Sequence, residues 1–438
     1  MARDNGGPLI ESHGGYSLWI EPGAELCKGA VKRFAEVAAR FDADAVYADG
    51  TTRIRGRRRT LRRPDFSPLR LLEQDYLGDA ILVRTGLLSA RSAPPSRNEL
   101  LTIIGQLPPA SIVHIPELLT RRVGPPPIAD PEQRRTTVLG QLEDAGIAAE
   151  ARKEGEVIRI VPTFADSPLV SIIIPTRGSS AIIGGVERVL IVEAVRSIVT
   201  ASSYPAFEVV VVADEETPQA VIDELVEIGG GRLNLVRWSR RFNFSGKINR
   251  GAAHAHGDFL LLLNDDVDVI SPDWIESMIG LCRLPGVGMV GANLVFENGR
   301  VQHAGHFYQA RGAGHIAFDW QPDQDDALGS LHVDREVSGV TAACAIVSRE
   351  IFDRVGGFSN SFPGNYNDVD FSLKIRSSGS RIVWTPWARL RHYESQTRDA
   401  ATAAAEQTQL RARWGTRIEV DGYWSESIAP VSGPRVRH

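Results

Sequence analysis

The segment LLLLNDDVDV at residues 260–269 constrains the fold of this chain more than any other. An apolar run that ends abruptly in polar residues is typical of an interior strand of a parallel sheet. Ligands of open α/β sheets bind at the carboxyl ends of such strands. Asp265, Asp266 and Asp268 follow the run, and their chemistry suits a hard divalent cation that carries phosphate oxygens. The alternative is a cap for a helix beginning after residue 271, but one side chain would be enough for that.

Composition limits the class of protein. With 438 residues, 43% of them hydrophobic, the chain can bury two or three sizeable cores. A net charge of −5 argues against general nucleic-acid binding. Cys27, Cys282 and Cys344 are widely spaced, which fits buried thiols in a reducing compartment. The first residues lack the apolar core of a signal peptide, and no segment approaches a membrane span. We therefore expect a cytoplasmic protein whose membrane contact, if any, is peripheral.

Strand and helix patterns alternate through the middle of the chain. The strands are VSIIIPTRG (170–178), FEVVVVADEET (207–217), LNLVRW (233–238) and the run at 259–263. Between the first two, Ile191, Ala194, Val195 and Ile198 have helical spacing. Such alternation predicts a doubly wound α/β sheet. Before it, the proline-rich VGPPPIADPEQRR (123–135) predicts a linker, and EVIRIVPTF (156–164) predicts a lead-in strand.

An internal repeat connects the two ends of the chain. IVHIPELLTRR (112–122) overlays IVWTPWARLRH (382–392) without gaps, at an offset of 382 − 112 = 270. AILVRTGLL (80–88) is similar to AIVSREIFD (345–353), and AVYADG (45–50) to LVFENG (294–299). The order is the same in both copies. Residues 17–122 are therefore predicted to be a second copy of the region 269–392 that lacks the strands preceding that region.

A set of motifs in one order identifies a family resemblance. They are VSIIIPTRG, FNFSGKINRGAAHAHGD (242–258), LLLLNDDVDV, VQHAGH (301–306), SGVTAAC (338–344), GGF (356–358), NDVDFSLKI (367–375) and HYES (392–395). Together they resemble the family 2 glycosyltransferases of the GT-A fold, especially bacterial rhamnosyltransferase-like and galactofuranosyltransferase-like enzymes of cell-surface polysaccharides. The resemblance covers roughly residues 168–425, and the ordered set is far more specific than any single motif.

The resemblance implies a fold and its divisions. The expected catalytic domain is a doubly wound mixed sheet of the nucleotide-diphospho-sugar transferase type, preceded by a smaller, degenerate α/β half-domain of the same kind. We expect that half-domain at 1–125 and a linker with the lead-in strand at 126–167. The nucleotide-sugar half should occupy 168–268, the acceptor half 269–400 and a closing segment 401–438.

The implied reaction transfers a sugar from a UDP- or dTDP-linked donor, such as one carrying rhamnose, galactofuranose or another hexose, to a saccharide or lipid-linked saccharide. For the nucleotide, the family's positions align with Pro175, Thr176, Asp214, Lys247, Asn249, Asn264 and Asp265. Ala213 replaces an acidic residue that is usual beside Asp214. Lys247 has an alternative interpretation as a surface lysine.

The family's Asp-x-Asp motif aligns with Asn264, Asp265 and Asp266. Asp266 is then the expected metal ligand, although Asp266-Val267-Asp268 offers a second register that makes Asp268 a ligand. His392 aligns with a late histidine that returns to the same cation. Imidazole with carboxylate suits Mn²⁺ somewhat better than Mg²⁺. We expect Mn²⁺ or Mg²⁺ as the cofactor.

For the chemical step, Asp368 in NDVDF aligns with the carboxylate that activates the acceptor hydroxyl. On an extended segment Asp370 would face the same way and bind the acceptor, whereas a helix would separate the two; the alternative for Asp368 is a helix cap. His303 and His306 are expected to border the acceptor cleft, with core packing as the alternative. Trp414 is expected to be an aromatic platform for the acceptor, or simply part of the domain's last packed segment.

The half-copy lacks these groups. At the offset of 270, Asn98 stands opposite Asp368 and Arg122 opposite His392, so this region is expected to be non-catalytic. Its RIRGRRRTLRR run (53–63) is an exposed loop by default, but it suits anionic lipid headgroups. A sugar nucleotidyltransferase and a non-catalytic carbohydrate-binding subunit are the alternative functions. The first needs no pair like Asp368 and His392, and the second would be expected to lose it.

Overall fold

The structure, a computed structural model, describes residues 9–88, 94–125, 130–310, 312–393 and 400–424. These residues divide into two compact units. The first comprises the described residues up to 162, together with 325–335 and 422–424, and the second comprises 163–324 and 336–421. Among the described helices, none is long and apolar enough to cross a membrane.

The first unit contains a mixed sheet. Its strands are β1 (Leu9–His13), β2 (Tyr16–Ile20), β3 (Ala24–Leu26), β4 (Ala45–Ile54), β5 (Arg57–Leu61), β6 (Ala80–Arg84) and β7 (Ile112–Val123), and its first helices are α1 (Ala30–Phe41), α2 (Pro68–Glu73) and α3 (Arg97–Gly105). The strand order is β1-β2-β6-β4-β7-β3, with β5 paired to β4. β4 and β7 are parallel and the other neighbours are antiparallel.

Both faces of this sheet are covered. Along β4, Ala45 and Tyr47 belong to one buried cluster, whereas Val46 and Ala48 belong to another that includes Phe34 of α1. Successive side chains of a strand point to opposite faces, so this alternation shows apolar packing on each side of the sheet. A strand covered on both faces has a nearly continuous apolar sequence, which is what AVYA at the start of β4 shows.

The linker prediction for residues 126–167 is wrong from residue 131 onward. Residues there form α4 (Pro131–Asp144) and a hairpin of β8 (Ala149–Glu154) with β9 (Val157–Pro162). Asp130 caps the helix by accepting from the N–H groups of the second and third helical residues. Val138 and Leu142 pack against Ile158 and Ile160 of the hairpin. The apolar positions are too few to give a clear helical period, and the lead-in strand pairs with β8 and not with the large sheet.

A buried carboxylate joins distant segments of the first unit. Glu73, at the end of α2, accepts from the backbone N–H of Ile160 at 2.8 Å and of Asp334 at 2.7 Å. Burial, and then the neighbouring charge of Asp334, raises the pKa of Glu73 well above its usual value. Together with the bonds from Arg70 and Gln74 to the Leu328 carbonyl, this bond connects residues 325–335 to the first unit although they lie far along the chain.

The second unit is built on a larger mixed sheet. The strands of this sheet are β10 (Val170–Thr176), β13 (Phe207–Asp214), β14 (Leu233–Trp238), β15 (Phe259–Leu263), β16 (Val267–Val269), β17 (Val287–Val295), β18 (Val301–His303), β21 (Arg335–Glu336), β22 (Cys344–Ser348) and β23 (Arg381–His392). Two separate hairpins are formed by β11 (Ser180–Ile183) with β12 (Val186–Val189) and by β19 (His306–Gln309) with β20 (Gly312–His315). Its helices are α5 (Leu190–Ala201), α6 (Gln219–Gly229), α7 (Phe244–Ala252), α8 (Trp274–Cys282), α9 (Arg349–Arg354), α10 (Asn367–Ser377) and α11 (Ala400–Trp414).

The strand order β14-β13-β10-β15-β22-β17-β23-β16 confirms the doubly wound mixed sheet. The first four strands are parallel, and β22 and β16 run against their neighbours. The four apolar residues that predicted a helix are buried on α5. Helix α7 packs on β10 and β13, where a Cβ on Gly251 would clash with Ile173. The close approach of α7 to the sheet therefore requires glycine at this position.

The first unit repeats five strands of the second. The series β2-β6-β4-β7-β3 has the same pairing directions as β15-β22-β17-β23-β16. In the two copies Ala24 pairs with Arg122 and Val267 pairs with His392, so Arg122 stands where the second unit has His392, as the offset of 270 predicts. The half-copy is therefore present in the strand order. It begins one strand earlier than predicted, because β2 corresponds to β15.

Two of the predicted overlays are out of register. Ala45 and Met289 pair with Ile112 and Ile382, which are 270 positions apart, so β4 aligns with residues from 289 and not with LVFENG at 294–299. Val83 likewise corresponds to Val347, one position away from the predicted overlay of 80–88. Short apolar strand sequences match in several registers, and the pairing partners decide which one forms.

The packing of α4 can be tested directly. Val138→Asp would place a carboxylate in the fully buried cluster and is expected to destabilise the first unit by at least about 2–4 kcal/mol. The exposed Thr136→Asp on the same helix is the matched control, expected to change stability by less than about 0.5 kcal/mol. Denaturant unfolding monitored by circular dichroism measures both. Equal stability of the two variants would show that 131–162 is a linker after all.

Candidate functional site

Three parallel strands of the second unit end side by side. β10 ends at Thr176, β13 ends at Asp214, and Asp265 follows β15 by two residues. The Thr176 hydroxyl donates to Asp265 Oδ2 at 2.6 Å and accepts from the Gly178 N–H at 2.9 Å. Burial, and next the charge of Asp266, raises the pKa of Asp265 to about 6. The predicted nucleotide residues Thr176, Asp214 and Asp265 thus lie at the strand ends where ligands of α/β sheets bind.

Lys247 connects the end of β10 with the end of β13. Its side chain is fully buried, so the interpretation as a surface lysine is wrong. Its Nζ lies 2.6 Å from Asp214 Oδ1 and donates to the Thr176 carbonyl at 2.8 Å. Burial lowers the pKa of Lys247, and the Asp214 carboxylate opposes that effect. In this arrangement Lys247 orients Asp214 and the end of β10, next to the buried Pro175.

His392 is held beside Asp266 by the strand pairing. Because Val267 on β16 pairs with His392 on β23, the residue before Val267 lies next to the imidazole. His392 Nε2 is 3.0 Å from Asp266 Oδ1 and 3.1 Å from Asn264 Nδ2. Both Asp266 and His392 are almost fully buried. The structure therefore brings together three residues that the sequence predicted for the cation and its surroundings.

Gln302, which sequence reasoning missed, fixes the tautomer of His392. Its Nε2 donates to the His392 carbonyl at 3.3 Å, which directs its Oε1 to His392 Nδ1 at 2.6 Å. His392 Nδ1 therefore carries the proton, and Nε2 presents a lone pair. Gln302 is buried and precedes His303 in VQHAGH. An amide beside two candidate histidines was the only signal in the sequence.

The donor set fits a divalent cation. His392 Nε2 faces a carboxylate oxygen of Asp266 across 3.0 Å and the Asn264 amide at 3.1 Å, and either a proton or a metal cation between the imidazole and the carboxylate would stabilise this arrangement. A metal-binding histidine commonly donates its other ring N–H to an oxygen, as His392 does to Gln302. One imidazole with one or two carboxylates suits Mn²⁺ or Mg²⁺, with Mn²⁺ favoured by the nitrogen ligand. Asp266 and His392 would hold the ion.

Asp268, offered by the second register, is engaged elsewhere. Its carboxylate accepts from Ser197 Oγ at 2.8 Å and pairs with Arg391 Nη1 at 2.7 Å. These bonds place it on β16 against α5 and β23. We therefore correct the prediction that Asp268 is a ligand and keep the register that contains Asp266.

Asp368 lies at the start of a helix, beside a strained residue. It is the second residue of α10, and its side chain is 20% exposed. Tyr366, immediately before the helix, has φ of 54°, which is unusual for a residue other than glycine. The buried Glu406 accepts from the N–H groups of Gly364 and Asn365, each at 2.9 Å, and so holds this loop. Backbone strain held in place by neighbouring bonds is typical of functional sites.

Asp370 does not share the face of Asp368. Because the segment is helical, two positions along the chain rotate a side chain by about 200° around the axis. Asp370 is fully buried, accepts from Trp414 Nε1 at 2.8 Å and lies 3.3 Å from Arg413 Nε. The predictions that Asp370 and Trp414 bind the acceptor are therefore corrected: the two residues bind each other and join α10 to α11.

His303 and His306 are buried, which favours the core-packing alternative for both. His303 Nε2 accepts from the Thr341 N–H at 3.2 Å, so its proton is on Nδ1 and is donated to His315 Nδ1 at 3.0 Å. Because both nitrogens of His303 are used in these bonds, we interpret this three-histidine cluster as a hydrogen-bond network and not as a second ligand set. His306 Nε2 lies 3.9 Å from Asp368 Oδ2, and burial lowers the pKa of His306.

Asn249 does not contact the predicted nucleotide region through its amide. Its Oδ1 accepts from the Phe358 N–H at 2.9 Å and its Nδ2 donates to the Phe358 carbonyl at 2.8 Å. A Cβ on Gly357 would lie 2.6 Å from Asn249 Oδ1, so the GGF motif allows this contact. The prediction is corrected: Asn249 holds the loop at 356–360 against α7.

Comparison with known proteins finds a family match within the second unit. Residues 171–356 match the family model of glycosyl transferase family 2. An uncharacterized protein, y4gI, of Sinorhizobium fredii is 36% identical over 60% of this chain, and the O-antigen biosynthesis protein RfbC of Myxococcus xanthus is 34% identical over 53%. The chain spans only 29% and 18% of the length of these two relatives.

Two solved structures are similar at lower identity. The mannosyltransferase PcManGT of Pyrobaculum calidifontis, in complex with GDP-Man and Mn²⁺, is 19% identical, with a TM-score of 0.41 over 57% of this chain and 65% of that one. GalNAc-T7 with UDP, GalNAc and Mn²⁺ is 15% identical, with a TM-score of 0.43 over 53% of this chain and 45% of that one.

The second unit combines a mixed doubly wound sheet with carboxylates and an imidazole at its strand ends, which is the arrangement that the resemblance to the GT-A fold leads us to expect. Residues 171–356, within the second unit, match glycosyl transferase family 2. Asp214, Lys247 and Asp266 fall inside the matched residues, whereas Asp368 and His392 follow them.

The role of Gln302 gives a testable expectation. Gln302→Leu removes the acceptor of the His392 Nδ1 proton, so the ring can take the tautomer that protonates Nε2. Affinity for Mn²⁺ in the presence of UDP should fall by roughly 10- to 100-fold. Electron paramagnetic resonance of free Mn²⁺ measures it.

Two further variants make this test specific. Gln302→Glu keeps an acceptor oxygen and should restore most of the affinity, and the exposed Gln219→Leu should leave it unchanged. Undiminished Mn²⁺ affinity in Gln302→Leu would contradict the role given to Gln302.

Proposed function

We propose that this chain is a metal-dependent, inverting glycosyltransferase that moves a sugar from a UDP- or dTDP-linked donor to a hydroxyl of a saccharide or lipid-linked saccharide. The observation that carries the proposal is the lone pair of His392 Nε2 opposite the Asp266 carboxylate, with a separate, partly exposed carboxylate at Asp368. A cation site and a separate base are what this reaction needs.

The donor site follows from the strand ends. Asp214 can accept from an N–H of the nucleotide base, while Thr176 and Asp265 lie beside it for the ribose and phosphates. The buried Lys247 holds the Asp214 carboxylate in place and is a positioning residue. A bound Mn²⁺ or Mg²⁺ would neutralise the departing diphosphate. Asp266 and His392 would bind that ion, with Gln302 keeping His392 in the correct tautomer.

The acceptor hydroxyl is activated by Asp368. Its carboxylate takes the hydroxyl proton, the acceptor oxygen bonds to the anomeric carbon, and the bond from that carbon to the nucleoside diphosphate breaks. Because Asp370 is buried against Trp414, no second carboxylate from this helix is available as a nucleophile. A single displacement inverts the anomeric configuration.

The wider role is proposed from the relatives. RfbC of Myxococcus xanthus is described as an O-antigen biosynthesis protein, and this chain is 34% identical to it over 238 residues. We propose rhamnose, galactofuranose or another hexose as the transferred sugar and a cell-surface polysaccharide as the product. The enzyme would work in the cytoplasm, at the inner face of the cell membrane. The first unit lacks counterparts to Asp266, Asp368 and His392, so we assign it a scaffold or acceptor-binding role.

The central experiment is a screen of UDP- and dTDP-sugars for turnover without acceptor, with Mn²⁺ and with excess EDTA. Hydrolysis of one donor that requires the metal is expected. A nucleotidyltransferase would instead form a nucleotide-sugar from a nucleoside triphosphate, and a binding subunit would turn over nothing. Either result would refute the proposal.

The cation assignment predicts the effect of two substitutions. Asp266→Ala and His392→Ala should each reduce Mn²⁺-dependent donor hydrolysis by at least about 100-fold, because each removes a ligand. His256→Ala is the matched control, since that imidazole is exposed and paired with Glu208. Donor hydrolysis is followed by release of nucleoside diphosphate, and melting curves check folding. Full turnover in either variant, or in excess EDTA, would rule out the assignment.

The base assignment predicts a different pattern. Asp368→Asn preserves the shape and removes the proton acceptor, so transfer should fall by roughly 100- to 10,000-fold. Donor affinity should stay within about twofold of the wild type, because the side chain serves the acceptor. Asp353→Asn, an exposed acid on the preceding helix, is the control. Loss of donor binding with normal transfer at saturating donor would instead make Asp368 a nucleotide contact.

A further inference from the structure

The hairpin of β4 and β5 carries a dense cluster of arginines. Arg53, Arg55, Arg57, Arg58 and Arg59 all lie in or beside its turn and are all exposed; we call them the arginine hairpin. Within the part of the chain that the structure describes, no acidic side chain forms an ion pair with any of the five. Five positive charges thus lie within seven consecutive residues on the first unit.

Neighbouring arginines of the same segment behave differently. Arg62 pairs with Asp49 at 2.8 Å, and Arg63 is buried and donates to backbone carbonyls. The RIRGRRRTLRR run is therefore divided: its last two arginines stabilise the fold, and its first five face solvent. Because all seven residues are arginines, the residue type does not explain why five of them are exposed and two form bonds within the fold.

The strand register places like charges together. Arg53 is directly opposite Arg58, and like charges at opposed positions destabilise a sheet. The side chains of Arg53 and Arg58 point to the same face of the hairpin, because directly opposed residues share a face of a sheet. Arg55 lies in the turn that follows β4. A bound anion would remove the repulsion between Arg53 and Arg58.

The same face opens into a cleft. Its volume is about 460 Å³, and its lining includes Gly23, Glu25, Thr51, Arg53, Arg58 and Arg121. Arg121 pairs with Glu25 at 2.7 Å, while Arg53 and Arg58 contribute positive charge without a matching carboxylate. Beside them, Val123 is 82% exposed and pairs with Arg53 across β4 and β7. Guanidinium groups next to an exposed apolar side chain suit the surface of a lipid layer.

The internal repeat adds an independent observation. Gly23 precedes Ala24 on β3 as Asp266 precedes Val267 on β16, so glycine occupies the position of the metal-binding carboxylate. In the second unit this position would attract phosphate through a cation. In the first unit the carboxylate is gone and the nearby groups are arginines, which bind phosphate oxygens directly through paired N–H donors.

We propose that the arginine hairpin and its cleft bind phosphate groups of anionic lipid headgroups, and so attach the first unit to a negatively charged membrane surface. The binding is electrostatic, with phosphate oxygens between Arg53 and Arg58 and with the other three arginines adding positive charge nearby. It requires neither the cation nor the nucleotide of the second unit. The inference is therefore independent of the proposed transferase activity, and a failure of one would leave the other standing.

Vesicle flotation of the full chain tests the proposal. Vesicles of phosphatidylcholine alone are compared with vesicles that contain phosphatidylglycerol at about one part in three. Binding to the anionic vesicles is expected, with little binding to the neutral ones. It should weaken as salt rises from 50 to about 300 mM, because the Debye length shortens. No binding to anionic vesicles at low salt, or equal binding to both kinds, would overturn the proposal.

The variant that replaces all five hairpin arginines with glutamine should bind anionic vesicles at least about 100-fold more weakly, given about 1 kcal/mol per arginine at such a surface. The control replaces five exposed arginines elsewhere with glutamine, for the same loss of charge: Arg40, Arg152, Arg188, Arg196 and Arg354. This control should still bind. Both variants should keep wild-type donor hydrolysis and melting temperature. Equal vesicle binding by the two variants would refute a specific role for the hairpin.

A free phosphate compound is the alternative source of the same chemistry. Inorganic diphosphate at millimolar concentration is added to the wild-type protein, with and without anionic vesicles. Partial competition with vesicle binding is expected. Binding of diphosphate to the hairpin in a protein that does not bind vesicles would show that the ligand is a soluble phosphate and not a lipid surface.

Discussion

The antiparallel pairing of β16 with β23 is the contact on which the site depends. It sets Val267 opposite His392 and so brings His392 to the end of β15, where Asn264 and His392 meet although 128 positions separate them. β23 reaches that place because its earlier part runs parallel to β17 in the middle of the sheet. The proposed cation site is therefore a consequence of strand order, and a slip of one residue in this pairing would turn His392 to the opposite face.

Three buried residues hold the groups at the candidate site in position. Lys247 neutralises Asp214 and holds Thr176, Gln302 fixes the proton of His392, and Glu406 holds the loop before Asp368. All three are buried, and none of them is expected to touch the sugar. Buried polar groups of this kind are unfavourable unless they are fully paired, and here each pairs with a group that needs a fixed position. These three buried residues therefore fix the geometry of the candidate site.

The two units show what one strand arrangement can become. The five-strand series of the first unit repeats the pairing directions of the second, yet glycine and arginine stand where the second has aspartate and histidine. The sheet persists because its stability comes from apolar residues on both faces, which do not depend on the polar residues at the strand ends. A non-catalytic copy can therefore keep its fold and present a different charge at the same edge.

The sequence by itself determined the elements whose signal is local and strong. Long apolar runs predicted β10, β13, β15 and helix α5, and ordered motifs predicted the class of transferase together with Asp266, Asp368 and His392. Some errors came from short-range ambiguity. The few apolar residues of α4 gave no clear period, and short strand sequences overlaid in the wrong register.

The tertiary structure alone decided which polar residues form the candidate site and which ones bond to other parts of the fold. Asp268, Asp370 and Asn249 have the right chemistry but are already bonded to Arg391, Trp414 and the backbone of Phe358. Gln302 lies in the VQHAGH motif without an expected role there, and yet it sets the tautomer of His392. The physical reason is that a side chain's role depends on its hydrogen-bond partners and burial, and distant strands supply these only after the sheet has formed.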